Sequence, residues 1–355
     1  MKLRELQKAL TYDDVTLKPQ YSDIKSRAEV SLATKLKNIK GGQYLYRTPI
    51  ISAPMDTVTE SSMCNALADF GALGIVHRYN TIDEQVAICK KVCIGNRFHW
   101  GAAIGVKGDY LERAAALMEI DEDSNIICID VAHGHHQLVK EAVEQLRGIY
   151  GNEVHIMAGN IATSDAYTDL AEWGVDSLRV GIGAGATCST RLKTGHGVPN
   201  VSAISACYEQ KLYRQGYGLT SPTIIADGGI RKAGDVVKAI AFGADFVMCG
   251  SLLAGTDETP NDIIEVNGNK FKSYRGMASE EAQQGWRGFA TAPEGVSTTV
   301  PAKGSIHAVM SELIGNIKSG FSYSGARNIE ELRENASALL QTSASIEEST
   351  THILK

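Results

Sequence analysis

The sequence predicts an α/β protein: a (β/α)8 TIM barrel with an N-terminal extension and a lid segment after strand 8. A single barrel needs roughly 250 residues, and this chain of 355 residues exceeds that length. From about residue 48, eight short apolar runs alternate with helical patterns. Strict alternation favours closure into a barrel over an open doubly wound sheet, and no GxGxxG motif follows the first run. We therefore expect residues 1–355 to form one barrel domain.

Each predicted strand is a short apolar run that ends in glycine or in a polar cluster. The runs are TPIISAPM, GALGIVH, HWGAAIGV, NIICIDVAHG, EVHIMAGN, SLRVGIGAG, PTIIADGG and FVMCGSLL. The helical candidates between them are SSMCNALADF, IDEQVAICKKV, DYLERAAALMEI, QLVKEAVEQLRGIY, SDAYTDLAEWG, VSAISACYEQKLYRQG and AGDVVKAIAFG. Their apolar residues recur at i, i+3 and i+4, which gives each helix one face to pack on a parallel sheet. Active sites of such barrels lie at the carboxyl ends of the strands, so we expect the reactive residues in the tails of these runs.

Composition excludes several classes of function. The net charge of −6 argues against a broad nucleic-acid surface, although a few backbone N–H groups can still hold a single phosphate. No segment has the apolar length of a signal peptide or a membrane span, so we expect a cytoplasmic protein. Seven scattered cysteines show no CxxC spacing of a zinc or redox site. His133, His135 and His136 follow the fourth strand, but no carboxylate spacing beside them supports a hydrolytic metal.

The tail of the sixth strand is a glycine-rich polar loop, GIGAGATCSTRLKTGHGVP, which contains Cys188. A buried cysteine at a flexible turn is the ordinary alternative. A loop this polar cannot be packed core, and Arg191 and Lys193 would favour the thiolate form. Cys188 is therefore a candidate nucleophile at the mouth of the barrel.

The tails of the last two strands suggest a phosphorylated ligand. Asp227 in ADGGI can accept hydrogen bonds from vicinal hydroxyls, and Gly228 and Gly229 leave backbone amides free for a phosphate. An ordinary strand-to-helix turn capped by the aspartate is the alternative. Gly250 and Ser251 in CGSLLAG lie where barrels commonly build the second half of a phosphate site.

A long segment at about 273–303 lies outside the repeat. Its aromatic and methionine side chains, at Tyr274, Met277, Trp286 and Phe289, favour a structured lid over a disordered insertion. Glu294 is its candidate carboxylate.

Six segments of the chain together resemble one enzyme family. GIGAGATCSTR, IIADGGI, YRGM, APEGV, SAPMDTVTE and IDVAHGH are similar, in order and spacing, to motifs of the IMP dehydrogenase and GMP reductase family over nearly the whole chain. The resemblance implies a homotetrameric barrel enzyme that acts on a purine nucleoside monophosphate. In such an enzyme Cys188 attacks C2 of the purine, and hydride passes between C2 and a nicotinamide.

The layout favours the reductase member of the family. The chain has no room for the regulatory CBS pair, and its lid has no Arg-Tyr pair of the dehydrogenase type. TRLKTGHGVP and KSRAEV resemble the reductase, whereas YRGM, APEGV and AHGHH are more similar to the dehydrogenase. The expected activity is NADPH-dependent reductive deamination of GMP, or a close analogue, to IMP and ammonia. Two alternatives stay open: an IMP dehydrogenase without CBS domains that uses NAD to form XMP, and a catalytically silent nucleotide-binding barrel.

The resemblance also implies roles for individual residues. The catalytic residues would be Cys188, Thr190 and Glu294, the last two relaying a proton to the departing ammonia. Those that bind the nucleotide would be Ser52, Met55, Asp227, Gly228, Gly229, Gly250, Ser251, Gly276, Met277, Ala278 and Gly295. Those along the cofactor would be Ser26, Arg27, Arg78, Asp130, Val131, Ala132, Ile182 and Gly183. A potassium ion would be held by backbone carbonyls of Gly183, Gly185, Cys188 and Arg191.

Two positions depart from the family pattern. The serine that binds phosphate in the cysteine loop aligns with Ala186, and the reductase's Arg and Ser before the catalytic Glu align with Thr291 and Pro293. A modified or deoxy nucleotide and the choice between NADPH and NADH therefore stay open.

Overall fold

The computed structural model describes residues 7–37, 42–92, 100–120 and 126–350. Three short strands precede the barrel: β1 (Val15–Leu17), β2 (Thr34–Lys37) and β3 (Gln43–Tyr46). β2 and β3 pair as an antiparallel hairpin, and β1 pairs with β15 (Ala338–Leu340) near the end of the chain. The extension is thereby tied to the carboxyl-terminal part of the protein.

Eight parallel strands close into a barrel. They are β4 (Ile50–Ser52), β5 (Leu73–Val76), β6 (Gly101–Ile104), β7 (Ile126–Asp130), β8 (His155–Ile161), β9 (Ser177–Val180), β10 (Thr223–Asp227) and β11 (Phe246–Cys249). The last strand returns to the first, with Val247 opposite Ile50, so the sheet has no free edge. Seven strands lie within their predicted runs and β8 extends one residue past its run, to Ile161, so the predicted (β/α)8 barrel is confirmed.

Helices follow the strands and cover the outside of the barrel. Those between barrel strands are α1 (Ser61–Asp69), α2 (Ile82–Lys90), α3 (Tyr110–Met118), α4 (Gln137–Tyr150), α5 (Ser164–Trp173), α6 (Thr190–Thr194), α7 (Asn200–Gly216) and α8 (Ala233–Ala241). Local sequence explains their ends: for example, the Thr81 hydroxyl caps α2 in a reciprocal pair with Glu84. The short α6 lies inside the predicted cysteine loop and did not emerge from the helical periodicity.

The eighth barrel helix is displaced along the chain. After β11 the chain forms β12 (Ile264–Val266), β13 (Asn269–Arg275), α9 (Glu280–Arg287) and β14 (Ser297–Pro301) before α10 (Ile306–Tyr323) packs on α8. β12, β13 and β14 make one antiparallel sheet. α11 (Ile329–Asn335) and α12 (Ser343–Glu348) follow. The sequence analysis did not predict α10, because the lid separates it from its strand.

The barrel interior is packed with side chains. Ile225, Phe246 and Met248 belong to a fully buried cluster inside the sheet. Tyr46 of the β2–β3 hairpin joins this cluster and meets Phe246 edge-on, with ring centroids 5.6 Å apart. The hairpin therefore closes the amino-terminal end of the barrel and leaves the carboxyl end open for a ligand. None of the described helices is long and apolar enough to cross a membrane.

Candidate active site

A cavity of about 450 Å³ opens at the carboxyl ends of the barrel strands. Fifteen of the predicted residues line it: Met55, Arg78, Asp130, Val131, Ala132, Ile182, Gly183, Cys188, Thr190, Asp227, Gly276, Met277, Ala278, Glu294 and Gly295. The sequence analysis missed others that line it, among them Tyr79, Asn160, Arg179, Gln283 and Arg287. The loop tails that looked reactive in the sequence thus meet in one place.

Cys188 stands at the start of a hydrogen-bonded chain that crosses from the loop to the lid. Its thiol donates to the Thr190 hydroxyl at 3.3 Å, and that hydroxyl donates to the Glu294 carboxylate at 2.7 Å. Backbone bonds hold the two segments together: the Ser189 N–H donates to the Glu294 carbonyl at 2.8 Å. A nucleophile, a hydroxyl and a carboxylate in sequence form a path along which a proton can move.

The two basic residues of the loop do not contact the thiol. Arg191 donates to the Val198 carbonyl at 2.7 Å, and its side chain packs over Gly183 and Gly197. Lys193 is exposed. The side chain that contacts Cys188 is therefore Thr190, and the role of Arg191 is to hold the shape of the loop.

The backbone enters the loop through a position that requires glycine. Gly181 has φ +151°, and a Cβ there would lie 1.9 Å from the Asp227 carbonyl oxygen. No side chain fits so close an approach. The cysteine loop can therefore leave β9 directly against the end of β10, which brings Cys188 and Asp227 to the same cavity.

A buried arginine links the two carboxylates on the cavity floor. Arg179 donates to Asp227 at 2.8 Å and forms an ion pair with Asp130 at 2.5 Å. Asn160 donates to the same Asp227 oxygen at 2.8 Å. Burial acts to lower the pKa of Arg179, but the two carboxylates outweigh it and hold that pKa well above its ordinary value. The cavity therefore has fixed charges on the side predicted for ribose and cofactor.

The predicted phosphate residues border the cavity rather than line it. Gly228 and Gly229 both have positive φ, +87° and +74°, as a close backbone approach requires. Tyr274 is buried, and burial raises the pKa of its hydroxyl to about 12 although Thr187 and Ser251 beside it act to lower it. Its hydroxyl is thus a neutral donor and acceptor beside Ser251.

Several other predicted residues lie away from the cavity wall. Ser52 is fully buried and accepts a hydrogen bond from Thr59 at 2.8 Å. Ser26 and Arg27 are exposed at the start of a short 3-10 helix. The Gly185 carbonyl accepts from the Cys188 N–H at 3.0 Å.

The lid is fastened to the barrel by an aromatic stack. Trp286 of α9 lies over Tyr79 with centroids 5.8 Å apart and an interplanar angle of 15°, and the Arg113 guanidinium lies 5.6 Å from the Trp286 ring centre. Next to this stack is a recess of about 340 Å³, which we call the annex. Its lining is Arg78, Gly105, Val106, Lys107, Gly108, Asp109, Arg113, Val131, Trp286 and Arg287. Three of these, Arg78, Val131 and Arg287, also line the main cavity.

Comparison with known proteins agrees with this geometry. The model of the IMP dehydrogenase / GMP reductase domain matches residues 9–352. An inosine-5'-monophosphate dehydrogenase of Borreliella burgdorferi is 36% identical over 97% of this chain and 96% of its own length. A GMP reductase of Vibrio atlanticus is 35% identical over 91% of this chain and 92% of its own. The crystal structure of a GMP reductase variant from Trypanosoma brucei in complex with guanosine 5'-monophosphate superposes with a TM-score of 0.89 at 29% identity, covering 98% of both chains.

Proposed function

This chain belongs to the IMP dehydrogenase / GMP reductase family of oxidoreductases, and we propose that it catalyses the NADPH-dependent reductive deamination of GMP, or a close analogue, to IMP and ammonia. The observation that carries the proposal is the hydrogen-bonded chain from Cys188 through Thr190 to Glu294, which opens into the main cavity. These three hydrogen-bonded residues supply what deamination at C2 needs, a nucleophile and a proton for the leaving nitrogen.

In the proposed first half-reaction, the Cys188 sulfur forms a bond to C2 of the purine, and the C2–N bond to the amino group breaks. NH2⁻ is too basic to leave, so the thiol proton travels through Thr190 and Glu294 to the nitrogen, which departs as ammonia. NADPH, when bound, supplies the hydride for the second half-reaction. As the hydride reaches C2, the C2–S bond breaks, IMP is released and Cys188 regains a proton from solvent.

The nucleotide would lie across the ends of β9, β10 and β11. The Asp227 carboxylate would accept hydrogen bonds from the ribose hydroxyls. The phosphate site would be formed by Gly228, Gly229, Gly250 and Ser251. Because Ala186 lacks the family's hydroxyl, the Tyr274 phenol beside Ser251 and Thr187 provides a further donor there. Met55, Gly276, Met277, Ala278 and Gly295 would enclose the base.

The cofactor would run from the main cavity into the annex, past Asp130, Val131, Ala132, Ile182 and Gly183. In the annex, Lys107 and Arg287 make no hydrogen bond to any residue the structure describes, so both can bind phosphate. Arg113 is held by Asp109 at 2.8 Å. The annex therefore has more cationic side chains than carboxylates, with Asp109 as its one acidic lining residue, and this positive charge favours the extra phosphate of NADPH.

Two further parts of the proposal concern a subunit contact and a metal ion. Ser26 and Arg27 would reach a cofactor only from a neighbouring subunit. A potassium ion fits the cysteine loop, where the carbonyls of Gly185 and Arg191 each accept one backbone bond and retain a second lone pair.

A dehydrogenase is the second candidate, because the lid carries an arginine at the cavity. Arg287 lines the cavity and could help to activate a water for hydrolysis of the covalent intermediate. Gly288 follows it where a dehydrogenase of the usual pattern has tyrosine.

Absorbance at 340 nm with each substrate and cofactor pair tests the proposal. We expect GMP and NADPH to give a decrease in absorbance with one ammonia per NADPH consumed. An increase with IMP and NAD, and no ammonia from GMP, would instead establish the dehydrogenase. No change with any pair would contradict both activities and leave a nucleotide-binding barrel.

A further inference from the structure

A second polar cavity lies at the amino-terminal end of the barrel, on the side opposite the catalytic cavity. It measures about 430 Å³, close to the volume of the catalytic cavity. Its lining is Ala33, Thr34, Lys35, Lys37, Gln43, Leu45, Tyr208, Lys211, Gln215, Ser221, Thr223, Asp245, Glu330 and Arg333. The β2–β3 hairpin, α7 and α11 form its walls, and the packed interior around Phe246 separates it from the catalytic end.

Positive charge in this cavity is not balanced by the residues around it. Lys35, Lys37, Lys211 and Arg333 give four cations, whereas Asp245 and Glu330 give two carboxylates, a net of two positive charges. Both oxygens of Asp245 are already used, one by the Lys211 ammonium and the other by Arg333 at 3.0 Å. Two cations thus share one largely buried carboxylate, which leaves net positive charge in this group beside the exposed Lys35 and Lys37.

The electrostatics of Lys211 agree with this imbalance. Burial lowers the pKa of Lys211 although Asp245 acts to raise it, and the charges of Arg333 and Lys37 add to the lowering. The Lys37 charge therefore acts on a buried cation instead of being neutralised by a partner.

Several donors in the cavity are free to bind a ligand. The side chains of Lys35, Lys37, Gln43 and Gln215 make no hydrogen bond or ion pair with any residue in the described ranges. Arg333, by contrast, also donates to the Ala244 carbonyl at 2.7 Å and is fixed in the fold. The ammonium groups of Lys35 and Lys37, which lie on the same face of β2, are thus available beside the side-chain amides of Gln43 and Gln215.

We propose that this cavity is a second ligand site, which binds a small anion of the phosphate-ester or pyrophosphate class through Lys35 and Lys37. The net of two positive charges in the lining favours a ligand that carries at least two negative charges. Phosphate oxygens can accept several charge-assisted hydrogen bonds at once from ammonium and amide groups. The volume lies in the usual range of small-molecule sites, about 300–1,000 Å³. The site is independent of the catalytic one, so it persists whichever reaction the protein catalyses.

Calorimetric titration with pyrophosphate, in protein saturated with IMP and NADPH to fill both the catalytic cavity and the annex, tests the proposal. We expect one binding site per chain in the parent protein. The K35A/K37A double variant should bind at least about tenfold more weakly, because each lysine contributes a charge-assisted hydrogen bond. The matched control is K90A/K91A, which removes two exposed lysines from the end of α2 and should bind as the parent does. Turnover without pyrophosphate should be unchanged in both variants.

A second measurement locates the site directly. Lysine acetylation followed by mass spectrometry should show Lys35 and Lys37 protected by pyrophosphate while Lys90 and Lys91 remain reactive. Absence of a binding site in the parent protein would overturn the proposal. So would equal weakening in the two double variants, which would assign binding to overall charge, or undiminished binding by K35A/K37A.

Discussion

At the scale of single residues, the chemistry depends on a contact that spans the chain. Thr190 lies two residues from Cys188 and more than one hundred from Glu294, yet its hydroxyl hydrogen-bonds to both. The family resemblance implied that Cys188 is the nucleophile and that Thr190 and Glu294 form the proton relay. The structure adds that Cys188 and Glu294 each lie within hydrogen-bonding distance of Thr190.

Cys188→Ser should abolish turnover and leave nucleotide binding measurable. A hydroxyl is a far poorer nucleophile than a thiolate at neutral pH, whereas the remaining walls of the cavity do not change. Steady-state assays together with an IMP binding titration measure both properties. Retained activity would remove covalent catalysis by Cys188 from the proposal.

Glu294→Gln should slow ammonia release by about 10² to 10⁴, the usual contribution of general acid catalysis. IMP should still bind with near-normal affinity, because the amide keeps the size of the carboxylate. Single-turnover ammonia release measures the effect, and the melting temperature shows whether the variant is folded. Glu280→Gln is the matched control, since Glu280 is an exposed carboxylate of the same lid.

If a well-folded Glu294→Gln protein releases ammonia at the parent rate, the carboxylate is structural. The hydrogen bond to Thr190 would then only hold the lid on the cysteine loop.

At the scale of elements, the lid is the part of the fold whose helix and strands the hydrophobic periodicity of the sequence did not predict. The lid contains a helix, α9, and a strand, β14, and it reaches the cavity through Gln283 and Arg287 of α9 and through Glu294 and Gly295 of the segment between them. The stack of Trp286 on Tyr79 fixes α9 above the cavity and the annex. The lid therefore forms one wall of both recesses.

Trp286→Ala should raise the KM for the cofactor by about tenfold, because it removes an aromatic stack and a cation–π contact with Arg113. The melting temperature should change little, since the barrel core does not include this side chain. Phe289→Ala is the control, because Phe289 is 61% exposed on the same lid. Equal effects of both substitutions on the cofactor KM would show that the stack does not position the lid.

At the scale of the whole molecule, the barrel presents its chemistry at one end and a charged cavity at the other. Ser26 and Arg27 lie outside both cofactor recesses. Tyr21, close to them in sequence, is 91% exposed, as a side chain at a subunit contact would be in an isolated chain. The homotetramer stays a prediction.

The protein should sediment as a homotetramer, and Arg27→Ala should raise the KM for NADPH without changing the sedimentation coefficient. The reason is that a neighbouring subunit would bring this guanidinium to the cofactor. Sedimentation velocity and steady-state kinetics together measure both effects. A fully active monomer would contradict the shared cofactor site.

Local pattern in the sequence was enough to predict the barrel, because a strand or helix depends on residues a few positions apart. The same is true of the strand tails, where Gly181 directly follows β9, Cys188 lies in the loop after it and Asp227 ends β10. One charged residue inside an apolar run, Arg179 in SLRVGIGAG, was a signal that could have been used and was not.

Only the tertiary structure decided which of these residues meet. The Arg179 bridge between Asp130 and Asp227, the stack of Trp286 on Tyr79 and the cavity around Lys37 and Lys211 all join segments far apart in the chain. Such contacts depend on how the barrel closes and where the lid and hairpin dock on it. Hydrophobic periodicity records which face of an element is buried, but it carries no information about the partner buried against it.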